Sequence, residues 1–168
     1  MHSLIPKVEI LEQYRYKFLW IDGELWMTDV PGEVVAQKYI AKHTYGDILI
    51  TGYGLGVLQR LLTESENVSS VTTIEKNWGV VEACRLAYGY NLTEEPWSDE
   101  VLLGDFYKWD IREKYDCVVG DIWIDIAPEC LSEYVMFKNR AKEWIKPNGK
   151  ILAWGQDYFE YLLRNTPI

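Results

Sequence analysis

Apolar side chains recur at Tyr14, Tyr16, Phe18 and Trp20, alternating with Arg15, Lys17 and Leu19, and resume at Leu25, Trp26 and Met27 after Asp22-Gly23. A period of two broken by a favoured two-residue turn predicts a β-hairpin. Pro31-Gly32 ends it, and Glu33 to Lys42 reads as a helix leading into a short buried-strand pattern, Ile48-Leu49-Ile50. Helical and extended patterns then alternate. Val57 to Leu62 is a helix, and SSVTTIE is a strand ending in Glu75. A helix capped by Asn77 has Val80, Val81, Cys84 and Ala87 on one face. A strand ends in Gly104-Asp105-Phe106, and another, Tyr115 to Gly120, ends in Asp121. Pro128 suits the first turn of a helix running to about Trp144 and burying Leu131, Val135 and Ile145 or their neighbours. KILAWG is a fifth strand, and a helix over about Asp157 to Leu163 closes the chain. This alternation predicts an α/β fold with a doubly wound, mostly parallel sheet and its ligand at the carboxyl ends of the strands.

The stretch GDILITGYGLG, residues 46–56, carries most of the chemistry. A strand runs directly into Gly52, Gly54 and Gly56, with Tyr53 between the first two. Glycine leaves no Cβ between the backbone and an adenosine-bearing ligand; the same triplet also serves as an ordinary tight turn. Glu75, followed by Lys76, closes the next strand roughly 20 residues on, where an acid accepts hydrogen bonds from ribose hydroxyls. Alone it would be a solvated strand end. A dinucleotide fingerprint needs its third glycine where Val57 stands, which counts against NAD and FAD.

On these motifs the chain resembles the class I S-adenosylmethionine-dependent methyltransferases and the related spermidine-synthase-like aminopropyltransferases, over about residues 22–155. The resemblance implies a Rossmann-like domain at 31–168 preceded by a β-hairpin extension at 1–30, one compact unit overall. It implies that Asp105 bonds an adenine amino group beside Gly104 and that Phe106 packs on the ring. KPNGKILAWG is similar to the family's Lys-Pro-Gly-Gly turn into strand five, with Asn148 replacing the first glycine. The family's usual last two strands are not found. A complete member would continue past residue 168, so a minimal version is expected, its exposed edge covered by homodimerisation or by the N-terminal hairpin.

At 168 residues and 48% hydrophobic, with eight Trp, the chain can bury the core of one domain. It has no apolar run of membrane-spanning length, and MHSLIPKVEI lacks signal-peptide order, so no membrane association and a cytoplasmic location are expected. Cys84, Cys117 and Cys130 read as reduced core residues. His2 and His43 are too few and too isolated for a zinc site, so no metal is expected. A balance of 17 basic to 26 acidic residues gives −9, which opposes nucleic acid and favours a cationic small-molecule substrate.

Transfer from a sulfonium needs the acceptor aligned and its proton removed. Asp121, closing strand four, is the candidate base at the cofactor's sulfur end; it would otherwise cap the following turn. Trp123 either packs on a cationic substrate or is a core residue, and Asp125 is either a second anion for the amine or solvated. The expected function is methyl transfer from S-adenosylmethionine to a small amine-like acceptor. The alternatives are aminopropyl transfer from decarboxylated S-adenosylmethionine, a non-catalytic adenosyl-ligand-binding protein, and an inactive partner subunit. The Asp22-Gly23 hairpin and Ile50 support the aminopropyl alternative; Trp26, Leu55, Ile124 and Asp125, standing where that subfamily's motif residues are expected, oppose it.

Overall fold

The computed structural model describes residues 5–89, 100–110 and 112–166; His2 lies outside them. Three antiparallel strands come first, β1 (Val8–Gln13), β2 (Tyr16–Ile21) and β3 (Glu24–Thr28), in that spatial order. The expected two-stranded hairpin is therefore a three-stranded sheet. The alternation read through Tyr14 is broken there because Tyr14 and Arg15 form a turn with φ of 52° and 68°. Asp22 and Gly23 form the second turn at 49° and 81°. Positive φ at both central positions matches the twist of the flanking strands. Only the second turn has the residue types that announce it, so β1 was not legible.

The chain continues as α1 (Pro31–Lys42), β4 (Gly46–Thr51), α2 (Val57–Thr63), β5 (Val68–Glu75), α3 (Trp78–Ala87), β6 (Glu100–Leu103), β7 (Tyr115–Gly120), α4 (Leu131–Ala141), β8 (Ile145–Ala153) and α5 (Gln156–Asn165). The last five strands form a parallel sheet in the order β6-β5-β4-β7-β8. This is the expected doubly wound α/β architecture. Strand order reverses between β4 and β7, and in such sheets a crevice opens outside the strand ends at that point.

Side-chain alternation along β4 and β7 sorts the core onto two faces. Ile48, Ile50, Cys117 and Val119 pack with Ile40 of α1 and Leu58 and Leu62 of α2. Leu49 and Val118 point the other way, to Tyr134, Phe137, Trp144 and Phe159. The helix expected from Pro128 to about Trp144 is a single 3-10 turn, Pro128–Cys130, followed by α4, which stops at Ala141. Its buried stripe is Tyr134, Phe137 and Ala141 rather than Leu131, Val135 and Ile145, which are half-buried around the same cluster. The aromatic side chains have more apolar area to remove from water, so they set the helix rotation. Cys84, Cys117 and Cys130 are all buried.

The N-terminal sheet does not cover the outer edge of β8. It packs on α3 and the loop after β4 instead, with Leu19 in a cluster with Tyr53, Leu55, Val57, Val80, Val81 and Cys84. Tyr88, just after α3, fastens it by donating its hydroxyl to the Asp29 carboxylate at 2.6 Å, while the Lys17 N–H reaches the other Asp29 oxygen at 2.6 Å. No described helix is long and apolar enough to cross a membrane.

Candidate functional site

Gly52, Gly54 and Gly56 all take left-handed φ, 88°, 56° and 64°. Two are also sites of close approach. A Cβ on Gly52 would stand 2.6 Å from the Asp121 carbonyl oxygen, and one on Gly54 would stand 2.5 Å from the Met27 sulfur. The glycines thus let β4 lie close to the end of β7 and let β3 reach the loop; Gly56 is the residue before α2. Glu75 at the tip of β5 is bound to this loop. Its Oε2 accepts from the Tyr53 N–H at 2.7 Å and its Oε1 from the Asn77 N–H at 2.8 Å. Burial nevertheless raises the pKa of its carboxyl group above the ordinary value, because desolvation outweighs these backbone bonds.

The other predicted positions divide. Lys76 is exposed, and Tyr53 is buried. Gly104 donates its N–H to the Glu75 carbonyl at 2.9 Å and lies beneath the Trp109 ring, 2.3 Å from where a Cβ would be. Asp105 is half-buried and accepts from the Tyr107 N–H at 2.9 Å. Phe106 does not offer its ring at the strand ends. It is 4% exposed and packs among Tyr107, Phe137 and Trp144 in the core. Trp123 is likewise a core residue, 1% exposed, edge-on to Tyr134, Phe137 and Phe159. Its indole N–H donates to the Trp154 carbonyl at 3.2 Å. Phe106 thus departs from the expected role, and Trp123 takes the second of its two readings; in both cases the chain after a strand-end acid turns back under the sheet, where large rings gain most from burial.

Asp121 stands at the switch point, its N–H 3.4 Å from the Thr51 hydroxyl of β4. Its carboxylate accepts from the Gln37 side-chain amide at 3.2 Å. Burial raises its pKa to about 7; the Gln37 bond opposes the rise and the nearby Glu33 charge adds to it. Glu33 is also raised, by burial first and then by repulsion from Asp125, against a side-chain hydrogen bond from Trp154. These carboxylates share a cavity of about 370 Å³ with Leu25, Trp26, Met27, Thr28, Gln37, Ile124 and Trp154. A second space of about 50 Å³ adjoins Leu19, Ile21, Trp26, Met27, Gly54, Val80 and Asp121, and the little exposed surface of Trp123 also borders it. Asp121, Trp26 and Met27 line both. Asp125 is exposed at the rim.

Glu33, Gln37, Met27 and Trp154 were not singled out from the sequence. Gln37 had a signal: it lies between Val34 and Ile40 on the inward face of α1, 1% exposed, where an apolar residue would be expected. Among the described residues no group of three or more His, Cys, Asp and Glu is placed to hold a metal ion.

The donors present fit an adenosyl ligand in kind. A carboxylate with lone pairs beyond its bonds to the Tyr53 and Asn77 N–H groups ends the strand beside the glycine loop, while the space off Gly52 and Gly54 is taken by the Asp121 carbonyl and the Met27 sulfur. Phe106 is the exception, since its ring is spent on the core.

No protein-family model matches the sequence, and no curated protein matches it. Solved structures do match, and they assign the fold to the class I S-adenosylmethionine-dependent methyltransferase type. Spermidine synthase from Thermotoga maritima superposes with a TM-score of 0.68 at 18% identity, over 96% of this chain and 60% of that one. A spermidine synthase in complex with the transition-state analogue AdoDATO gives 0.67 at 17%, over 96% and 59%. The CcbJ methyltransferase from Streptomyces caelestis gives 0.52 at 20%, over 73% and 47%. The chain therefore spans about 60% of the length of the spermidine synthases it matches.

Proposed function

We propose that this chain is an S-adenosylmethionine-dependent methyltransferase acting on a small amine. The observation that carries the reading is Asp121: a carboxyl group at the strand switch point, bonded to Gln37, with a pKa of about 7, facing a cavity that also holds Glu33 and Asp125. An acid with a pKa near the operating pH is suited to taking a proton from an ammonium. Glu33 and Asp125 add negative charge that draws a cation in, in keeping with the chain's net charge of −9.

The Glu75 carboxylate and the backbone of Gly52 to Gly54 would hold the ribose side of the donor, and Asp105 the adenine. When bound, the donor supplies an electrophilic methyl group on a sulfonium. Gln37 fixes the Asp121 carboxylate, and Trp26 and Met27 form the wall between the two spaces that meet at it. Exclusion of water by these side chains would strengthen the attraction between carboxylate and ammonium.

Aminopropyl transfer is the second reading, favoured by the 96% of this chain that superposes on the spermidine synthases, against 73% on the CcbJ methyltransferase. It is disfavoured by the glycine loop. A decarboxylated donor ends in a propylammonium that needs a nearby acid, and Leu55, at the position where that subfamily has its acid, is fully buried in the core. Titration calorimetry with S-adenosylhomocysteine and with methylthioadenosine tests both. Tighter S-adenosylhomocysteine supports methyl transfer, tighter methylthioadenosine supports aminopropyl transfer, and no heat from either overturns the donor assignment. An Asp121→Asn variant that binds as the wild type does, with no transfer to lose in either protein, would identify a non-catalytic binder.

A further inference from the structure

The cavity at Asp121 is divided by origin. Among the described residues its carboxylates, Glu33, Asp121 and Asp125, come from α1 and the segment after β7, whereas the N-terminal sheet contributes Leu25, Trp26, Met27 and Thr28, without a charge. Trp154 forms a fixed part of the remaining wall. Its backbone N–H is bonded to the Gly120 carbonyl at 3.0 Å, and its carbonyl receives the Trp123 indole. Gln37 lines the same cavity, 1% exposed. Its amide nitrogen is used on Asp121, and its buried Oε1 has no hydrogen-bond partner among the described residues. An acceptor atom buried without a donor costs free energy that an incoming N–H would recover.

A ligand that satisfies both walls has one cationic end and one uncharged, apolar end. A linear diamine long enough to cross the cavity would place its second ammonium against Leu25, Trp26 and Met27. There it loses water and gains no carboxylate. An aromatic or branched alkyl body in that position instead buries apolar surface against the same side chains and offers its cationic head to the carboxylates at the opposite wall. We infer that the acceptor is a monoamine carrying an apolar body, rather than a linear polyamine. This rests on the reading of the Asp121 cavity as an amine-acceptor site.

The test is a binding comparison that needs no adenosyl ligand. Phenethylamine, 1,4-diaminobutane and 2-phenylethanol are titrated into the purified chain, followed by tryptophan fluorescence and calorimetry. Phenethylamine is expected to bind at least tenfold tighter than either of the others, a difference of about 1.4 kcal/mol, and Trp26→Ala is expected to bring the two amines within threefold of each other. Equal or tighter binding of the diamine overturns the inference, as does an unchanged ratio in a folded Trp26→Ala protein. If that variant does not fold, the wild-type ratio decides. Should S-adenosylhomocysteine fail to bind while phenethylamine keeps its preference, the transferase reading falls and the ligand class of the cavity stands; if neither amine binds, the ligand class falls whatever the adenosyl result.

Discussion

The Met27 sulfur of β3 accepts a hydrogen bond from the Leu55 backbone N–H at 3.3 Å, inside the loop that joins β4 to α2. A strand of the N-terminal sheet is thereby built into the glycine loop, and the space that a side chain on Gly54 would need is taken by the same sulfur. The loop's conformation and the seating of the sheet depend on one another.

Gly52→Ala should therefore cost more than Gly54→Ala. Both force a residue with a Cβ into left-handed φ, worth about 1–2 kcal/mol. At Gly54 the obstacle is the far part of a flexible methionine, whereas at Gly52 it is the Asp121 backbone carbonyl. Urea unfolding should rank the two variants in that order, and Met27→Ala should recover only the part of the Gly54→Ala loss that exceeds the φ cost.

Asp121 makes stability depend on pH with a definite sign. Its folded pKa of about 7 lies above the ordinary 3.8, so the folded state binds the extra proton. Its contribution is fully present below about pH 4 and is lost as pH rises through 7. Asp121→Asn, which never ionises, should match wild-type stability in acid and exceed it at pH 8. The distance between 3.8 and about 7 corresponds to about 4 kcal/mol, which water at a partly exposed carboxyl group reduces to about 2 kcal/mol. Thermal melts of both proteins from pH 4 to 8 would check this, and a constant gap would refute it.

The same ionisation should govern turnover. Transfer to an amine is expected to rise with pH through about 7 as Asp121 loses its proton. Asp121→Asn should lower kcat by about 10²–10⁴-fold, the usual contribution of a positioned base. A wild-type pH profile flat from 6 to 8 would remove Asp121 from that role.

Tyr88→Phe deletes the 2.6 Å bond to Asp29 together with the hydroxyl's interaction with Arg60, and keeps the ring. A loss of about 1–2 kcal/mol is expected. Hydrogen exchange should quicken in β2 and β3 while β4 and β7 keep their protection.

Trp123→Phe should behave as a core substitution, lowering the melting temperature without changing amine affinity, because the ring is 1% exposed and enclosed by Tyr134, Phe137 and Phe159. A large change in amine affinity at unchanged stability would return Trp123 to the substrate.

The parallel sheet was legible in the sequence because each strand is a short apolar run followed by punctuation: the glycines after Thr51, Asn77 after Glu75, Asp121 after Gly120. Local patterning also located the acids at the strand tips, since strand ends face the crevice in any doubly wound sheet. What faces those tips was not local information. Phe106 stands one residue and Trp123 two residues after such an acid, yet their rings turn under the sheet to meet α4 and the segments around it, a contact between residues up to 38 positions apart. Gln37, Glu33 and Met27 reach the site from α1 and β3, elements whose own patterns specify a helix and a strand without saying which element they will meet. Periodicity along the chain thus determined the elements and their layering, through the burial of apolar faces. The identity of the cavity's walls was decided only when packing brought three separate segments to the end of β7.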